Sequence, residues 1–127
     1  MIGISSRRFR AFAAGFTLAL LAPAAALAHH GWSWTTGKNI EIAGKVVKAE
    51  LGNPHGVLVI DVKGARWTVE VGQPWRNERA GLKDSDLGPG AALRISGEPS
   101  TDPKARVMKA ERIFIGGRRF DLYPERD

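Results

Sequence analysis

Between Ile40 and Ile115 the apolar residues fall into short runs, and one stretch that opens with a proline and closes with a glycine interrupts them. This spacing limits the chain more than any other feature. Alternate residues of a strand point to opposite faces, so each run can be read for the face it buries. Ile40 to Leu51 is a long strand with Ile40 and Ile42 in one phase and Val47, Ala49 and Leu51 in the other. A slip of one residue near Gly44 predicts a bulge or sharp bend there. Gly52-Asn53-Pro54-His55-Gly56 is a turn, and Val57 to Val62 is a nearly continuous apolar strand. Lys63-Gly64-Ala65 leads into Arg66 to Val71, where Trp67, Val69 and Val71 alternate with Arg66, Thr68 and Glu70. Asp61 and Glu70 read as members of solvated faces.

Pro74 to Ala80 suits a short helix, with Pro74 at its first position and Gly81 just past its end. Ala91 to Gly97 and Arg106 to Ile115 supply two further strands, and Gly116-Gly117 turns the chain into a hairpin extension over Arg118 to Tyr123. A three-strand meander bent at a glycine, then a helix, then two strands, is the order of an OB-fold. We therefore expect an all-β protein: a small five- to six-stranded OB-like barrel with one short helix between strands 3 and 4. Closure removes exposed strand edges, whereas lipocalin-like and immunoglobulin-like domains need more strands. Trp75 is expected to plug the barrel end under the helix, and the tail Pro124 to Asp127 to be loose.

Residues 1–28 have the layout of a secretory signal: Arg7, Arg8 and Arg10, an apolar run from Ala11 to Leu21, then Pro23 and the small-residue end Ala26-Leu27-Ala28. The run is shorter than the ~20 residues of a spanning helix, which argues against an anchor and against stable membrane insertion after cleavage. Ser6-Arg7-Arg8-Phe9 is a faint twin-arginine pattern. The expected organisation is a signal peptide over 1–28, an N-terminal arm over 29–38, the barrel over 39–123 and a tail over 124–127, with a periplasmic or secreted location. Cleavage would remove three of the 19 basic residues and none of the 13 acidic ones, lowering the formal charge from +6 to +3. That weakens any case for nucleic acid, and no nucleic-acid partner is expected.

There is no cysteine, so the exported domain relies on core burial, and thiolate chemistry is excluded. Met108 is the only methionine outside the signal segment, which removes a methionine-rich copper(I) site. Nitrogen ligands remain. Cleavage after Ala28 would make His29 the first residue, able to chelate through its free amine and ring Nδ1 once the amine loses its proton. The other histidines are His30 and His55, and a nitrogen set of this kind suits copper(II), with zinc as competitor. The arm from Gly31 to Asn39, at ~3.3 Å per residue, could fold back toward His55. Taken one at a time, His55 is a turn residue held by a hydrogen bond and His30 a solvated neighbour of the cut; it is their coincidence with His29 that points to metal. Trp32 and Trp34, two apart in an extended arm, would share a face and form a lid.

No serine elbow, cysteine nucleophile or phosphate loop is present, so an enzyme is not expected. Arg76, Arg79, Arg112, Arg118 and Arg119 offer a basic patch for an anionic ligand, against the plainer reading of dispersed surface charge. The His29-His30 pair, Asn53-Pro54-His55, Gly72-x-Pro74 and Arg79-x-Gly81-Leu82 resemble the pattern of a family of small secreted bacterial proteins of unknown function. The resemblance covers nearly all of the chain after residue 28 and implies a shared His-His and Asn-Pro-His pattern, carried here by His29, His30 and His55. Many such sequences carry Ser and Phe where this one has Gly31 and Trp32. The chain is more loosely similar to periplasmic OB-fold copper and silver chaperones, whose methionine pair has no counterpart here.

The expectation is copper(II) binding for buffering or delivery through His29 and His55, with His30 as a further ligand and a copper donor or acceptor protein of the cell envelope as partner. The alternatives are a metal-free module for a protein or anionic envelope ligand, and an oxidative copper enzyme.

Overall fold

The computed structural model describes residues 31–126. The segment 1–28 expected to be a signal peptide, His29 and His30 lie outside the described residues. The elements are β1 (Ile40–Glu50), β2 (Val57–Val62), β3 (Ala65–Glu70), α1 (Pro74–Arg79), a 3-10 turn over Asp84–Leu87, β4 (Ala92–Pro99), β5 (Val107–Ile115) and β6 (Arg118–Asp121).

β1 pairs with β2 on one side and β4 on the other, β2 with β3, and β4 with β5, all antiparallel. A parallel seam of Thr68 with Val107, Val69 with Met108 and Glu70 with Lys109 joins β3 to β5 and closes the ring. The order β1-β2-β3-β5-β4, with a helix between β3 and β4, is that of an OB-fold barrel. β6 extends β5 as the expected hairpin, through Gly116 and Gly117 at φ 54° and 80°.

The barrel interior is filled by Ile42 and Val46 of β1, Leu58 and Ile60 of β2, Val69, Leu93 and Ile95, and Met108, Ala110 and Ile113 of β5. The phase slip in β1 falls between Val46 and Lys48, where the register with β2 shifts, rather than at Gly44. Ile42 and Val46 are buried in one phase and Val47 turns outward. Gly44 has another duty. A Cβ there would sit 2.1 Å from the Asp61 carbonyl oxygen, so its missing side chain lets β1 and β2 approach.

Trp75 does not plug the barrel: it is 50 % exposed, and this part of the chain buries Leu82 and Leu87 instead. Pro74 stands in the first turn of α1 and Gly81, at φ 81°, follows its end, so the six-residue helix presents Trp75 outward.

Outside the apolar core lies a second, ionic layer. Lys109 and Glu111 alternate with Met108 and Ala110 and so point away from the interior, yet both are buried. They are covered by the two ends of the described chain. The segment from Gly31 is a turn, not an extended arm, closed by Thr35 N–H donating to Trp32 O. Thr36 N–H bonds Pro99 O, and Thr101 N–H bonds Trp34 O. The C-terminal tail is equally fixed: Arg126 donates to Glu98 and Glu111, Arg112 donates to Arg126 O, and the Arg126 guanidinium lies 3.9 Å from the Trp32 ring. A loose tail could not supply these contacts to buried carboxylates, whose desolvation requires partners.

A candidate metal centre beside His55

His55 follows the cis Asn53-Pro54 bond in the loop between β1 and β2. Loop and strand exit are tied together by Gly56 N–H to Gly72 O and Val71 N–H to Gly56 O, which sets the imidazole over the end of β3. There its Nε2 lies 3.6 Å from Glu70 Oε1, and its Nδ1 lies 3.3 Å from Gly56 O. Glu70 is only 3 % exposed, so the solvated face expected for it is wrong. The residue ends β3 at the parallel seam, where the chain termini cover the outer surface. Asp61 does conform, half-open to solvent beside Arg66.

Both ring nitrogens of His55 therefore face oxygen acceptors. A neutral imidazole donates from one nitrogen only, which leaves a lone pair opposed to an oxygen unless a cation lies between. His55 with Glu70 could offer a nitrogen and an oxygen to a cation. Among the described residues no group of three or more histidines, cysteines or acids is placed to hold a metal. Any complete set must draw on ligands outside them.

His55 opens onto a cleft of about 210 Å³ lined with Gly31, Pro54, Gln73, Arg76, Lys109 and Tyr123. Gly31 is held there by its carbonyl, which accepts a 2.9 Å hydrogen bond from Lys109 Nζ. The described chain thus begins in the same cleft as His55. Trp32 packs edge-on against Tyr123 with ring centroids 5.0 Å apart, and Lys109 Nζ lies 4.7 Å from the Trp32 ring. Trp32 forms part of the lid expected of it, and Trp34 is half-buried.

Electrostatics in this layer follow from burial. Desolvation lowers the Lys109 pKa, with the Glu70 and Glu98 charges opposing and those of Arg126 and Arg76 adding to it. Desolvation likewise raises the Tyr123 hydroxyl. Burial pushes the Glu98 carboxyl up, but hydrogen bonds from Thr35, Arg126 and Gly37 outweigh it and hold Glu98 below its ordinary value.

The arginines form no common patch. Arg76 and Arg112 are largely covered, Arg76 against Leu122 O and Arg112 against Glu111 and Asp121. Arg118 and Arg119 stand apart on β6, and Arg79 lies by Trp75. Dispersed charge is the better description. Sequence reasoning missed Glu70 as the neighbour of His55, and Lys109 and Arg76 as residues of the cleft. A lysine amid Val107, Met108 and Ala110 was a signal that could have found it.

The sequence profile of a family of unknown function, DUF6152, matches residues 18–109. The chain belongs to the DUF6152 family. None of the curated proteins matches this DUF6152 chain. Among solved structures it is similar to yeast Stn1 and Ten1, with 20 % identity and a TM-score of 0.47 over 61 % of this chain and 42 % of that one. It is also similar to a ZRD-deleted mutant of TiaS in complex with agmatine, with 17 % identity and a TM-score of 0.45 over 71 % of this chain and 24 % of that one. The chain spans less than half the length of either.

Proposed function

We propose that the protein is exported and binds copper(II) non-enzymatically, through the amine and imidazole of His29 with His55, and with His30 as a further ligand. Its role is buffering, or delivery to a copper-handling protein of the cell envelope. One observation carries the reading: Gly31 and His55 line the same cleft. Two residues of chain reach at most ~7 Å, which supports a reading in which the amine of a chain starting at His29 comes to His55. Glu70 enters the ligand set on geometry. A metal about 2.1 Å from each atom fits between His55 Nε2 and Glu70 Oε1 at their 3.6 Å separation. The angle at the metal is then roughly 120°, wide for copper(II) and closer to the tetrahedral preference of zinc. Zinc is the natural competitor, and copper loading should draw the two ligands together.

The test begins with protein recovered after export, its N-terminal residue identified by mass spectrometry. Copper(II) titration followed by paramagnetic resonance should give one nitrogen-rich site. A variant with one extra residue ahead of His29 should bind at least tenfold more weakly. An unchanged affinity would remove the amine from the site, and the lack of any nitrogen-rich signal would remove copper.

A further inference from the structure

The cleft also carries two cations whose hydrogen-bonding capacity is not used up. Lys109 is 7 % exposed, and its ammonium has three donors. Among the described residues it makes one hydrogen bond, to Gly31 O, and it faces the rings of Trp32 and Tyr123. Arg76 uses Nη1 on Leu122 O and, at 3.4 Å, on Glu125 Oε1. Its Nε is buried without a hydrogen-bond partner, and its guanidinium lies 4.1 Å from the Tyr123 ring. Buried donors left unmade are costly. One such donor is Arg76 Nε, and Arg76 and Lys109 line one concavity with the Gln73 and Tyr123 side chains.

From this we infer that the cleft binds a small oxyanion, a phosphate or a carboxylate, between Lys109 and Arg76. The volume of about 210 Å³ admits an ion of that size. A planar guanidinium and a compact ammonium suit oxygen atoms held on one centre. Neither Glu70 nor Glu125, which lies 3.4 Å from Arg76 Nη1, lines the cleft.

This anion site goes beyond the copper reading and does not need it, but the two are coupled where both hold. A divalent ion at His55 and Glu70 adds positive charge to a cleft that already has Lys109 and Arg76, so an anion should bind the copper-loaded protein more tightly. By linkage, it should raise copper affinity by the same factor.

The experiment is calorimetric titration of the exported, metal-free protein with inorganic phosphate and separately with acetate, against chloride at equal ionic strength. Saturable one-site binding of either ion is expected, and the two arms tell phosphate from carboxylate. Lys109→Met and Arg76→Gln should each weaken it at least tenfold, whereas Arg79→Gln, outside the cleft, should leave it unchanged. Thermal melts with and without the anion show whether each variant is folded, and a folded variant that keeps full binding overturns the assignment. So does the absence of binding by both ions to the parent protein. Anion binding without copper binding would sink the copper reading alone, and the reverse result would sink this one alone.

Discussion

Lys109 Nζ donates to the carbonyl of Gly31 at 2.9 Å, so a charge buried on the outside of the barrel holds the start of the described chain against His55. Burial keeps the Lys109 pKa below its ordinary 10.5, and this tie has a pH signature. In the window between the lowered folded value and 10.5 the unfolded chain binds the proton more tightly, so stability rises with pH there. Compared with Lys109→Met, the parent protein should gain stability as pH rises toward 10.5. Urea denaturation across that range is the measurement, and parallel curves would show that Lys109 is not desolvated as described.

Glu98 works in the opposite direction. It accepts from Thr35 Oγ1, from Gly37 N–H and from Arg126, and these bonds depress its carboxyl below 4.5 against the pull of burial. A depressed acid contributes stability that is fully present above the unfolded value and is lost as pH falls through the folded one. Glu98→Gln should therefore cost about 2 kcal/mol at pH 7 and flatten the acid limb below about pH 4.5. Denaturant midpoints between pH 3 and 7 decide it. The same substitution should free both termini, seen as faster hydrogen exchange at Thr36 and Arg126.

Trp75 separates two accounts of the helix. As a plug it would be among the most damaging residues to truncate, at about 3–5 kcal/mol. Half exposed, stacked at 4.6 Å from the Arg76 guanidinium and bonded through Nε1 to Gln73, it should change stability by less than about 1 kcal/mol when made alanine. The loss of red-shifted indole fluorescence in Trp75→Ala, at an almost unchanged melting temperature, is the expected result.

The barrel was legible because its interior obeys period-two alternation, and because Pro74 and Gly81 bracket α1 as helix ends require. The outer layer was not. Alternation places Glu70, Lys109 and Glu111 outside the core, and it is correct in that. What it cannot express is that residues 31–37 and 122–126 come back to cover that face. The parallel seam pairing Glu70 with Lys109 joins residues 39 positions apart, and no local pattern encodes it. Gly44 was identified as a special position for the wrong reason, since a bend and a close backbone approach both select glycine. His55 was singled out correctly as a residue of interest, but its neighbour Glu70 was hidden by an ordinary-looking strand.

Glu70 gives the sharpest test of the centre itself. Its Oε1 stands 3.6 Å from His55 Nε2, in register with Lys109 across the seam. If it ligates the metal, or orients His55 for it, Glu70→Gln keeps the shape while removing the negative charge. Copper(II) affinity should then fall about 10- to 100-fold, with a changed paramagnetic spectrum, and Glu70→Asp should recover part of the loss. A carboxylate that serves only to balance Lys109 behaves differently: Glu70→Gln would lower the melting temperature and leave both affinity and spectrum as they were. Measuring melting and copper titration on the same preparations separates the two roles, and unchanged affinity in a folded Glu70→Gln protein would take Glu70 out of the centre.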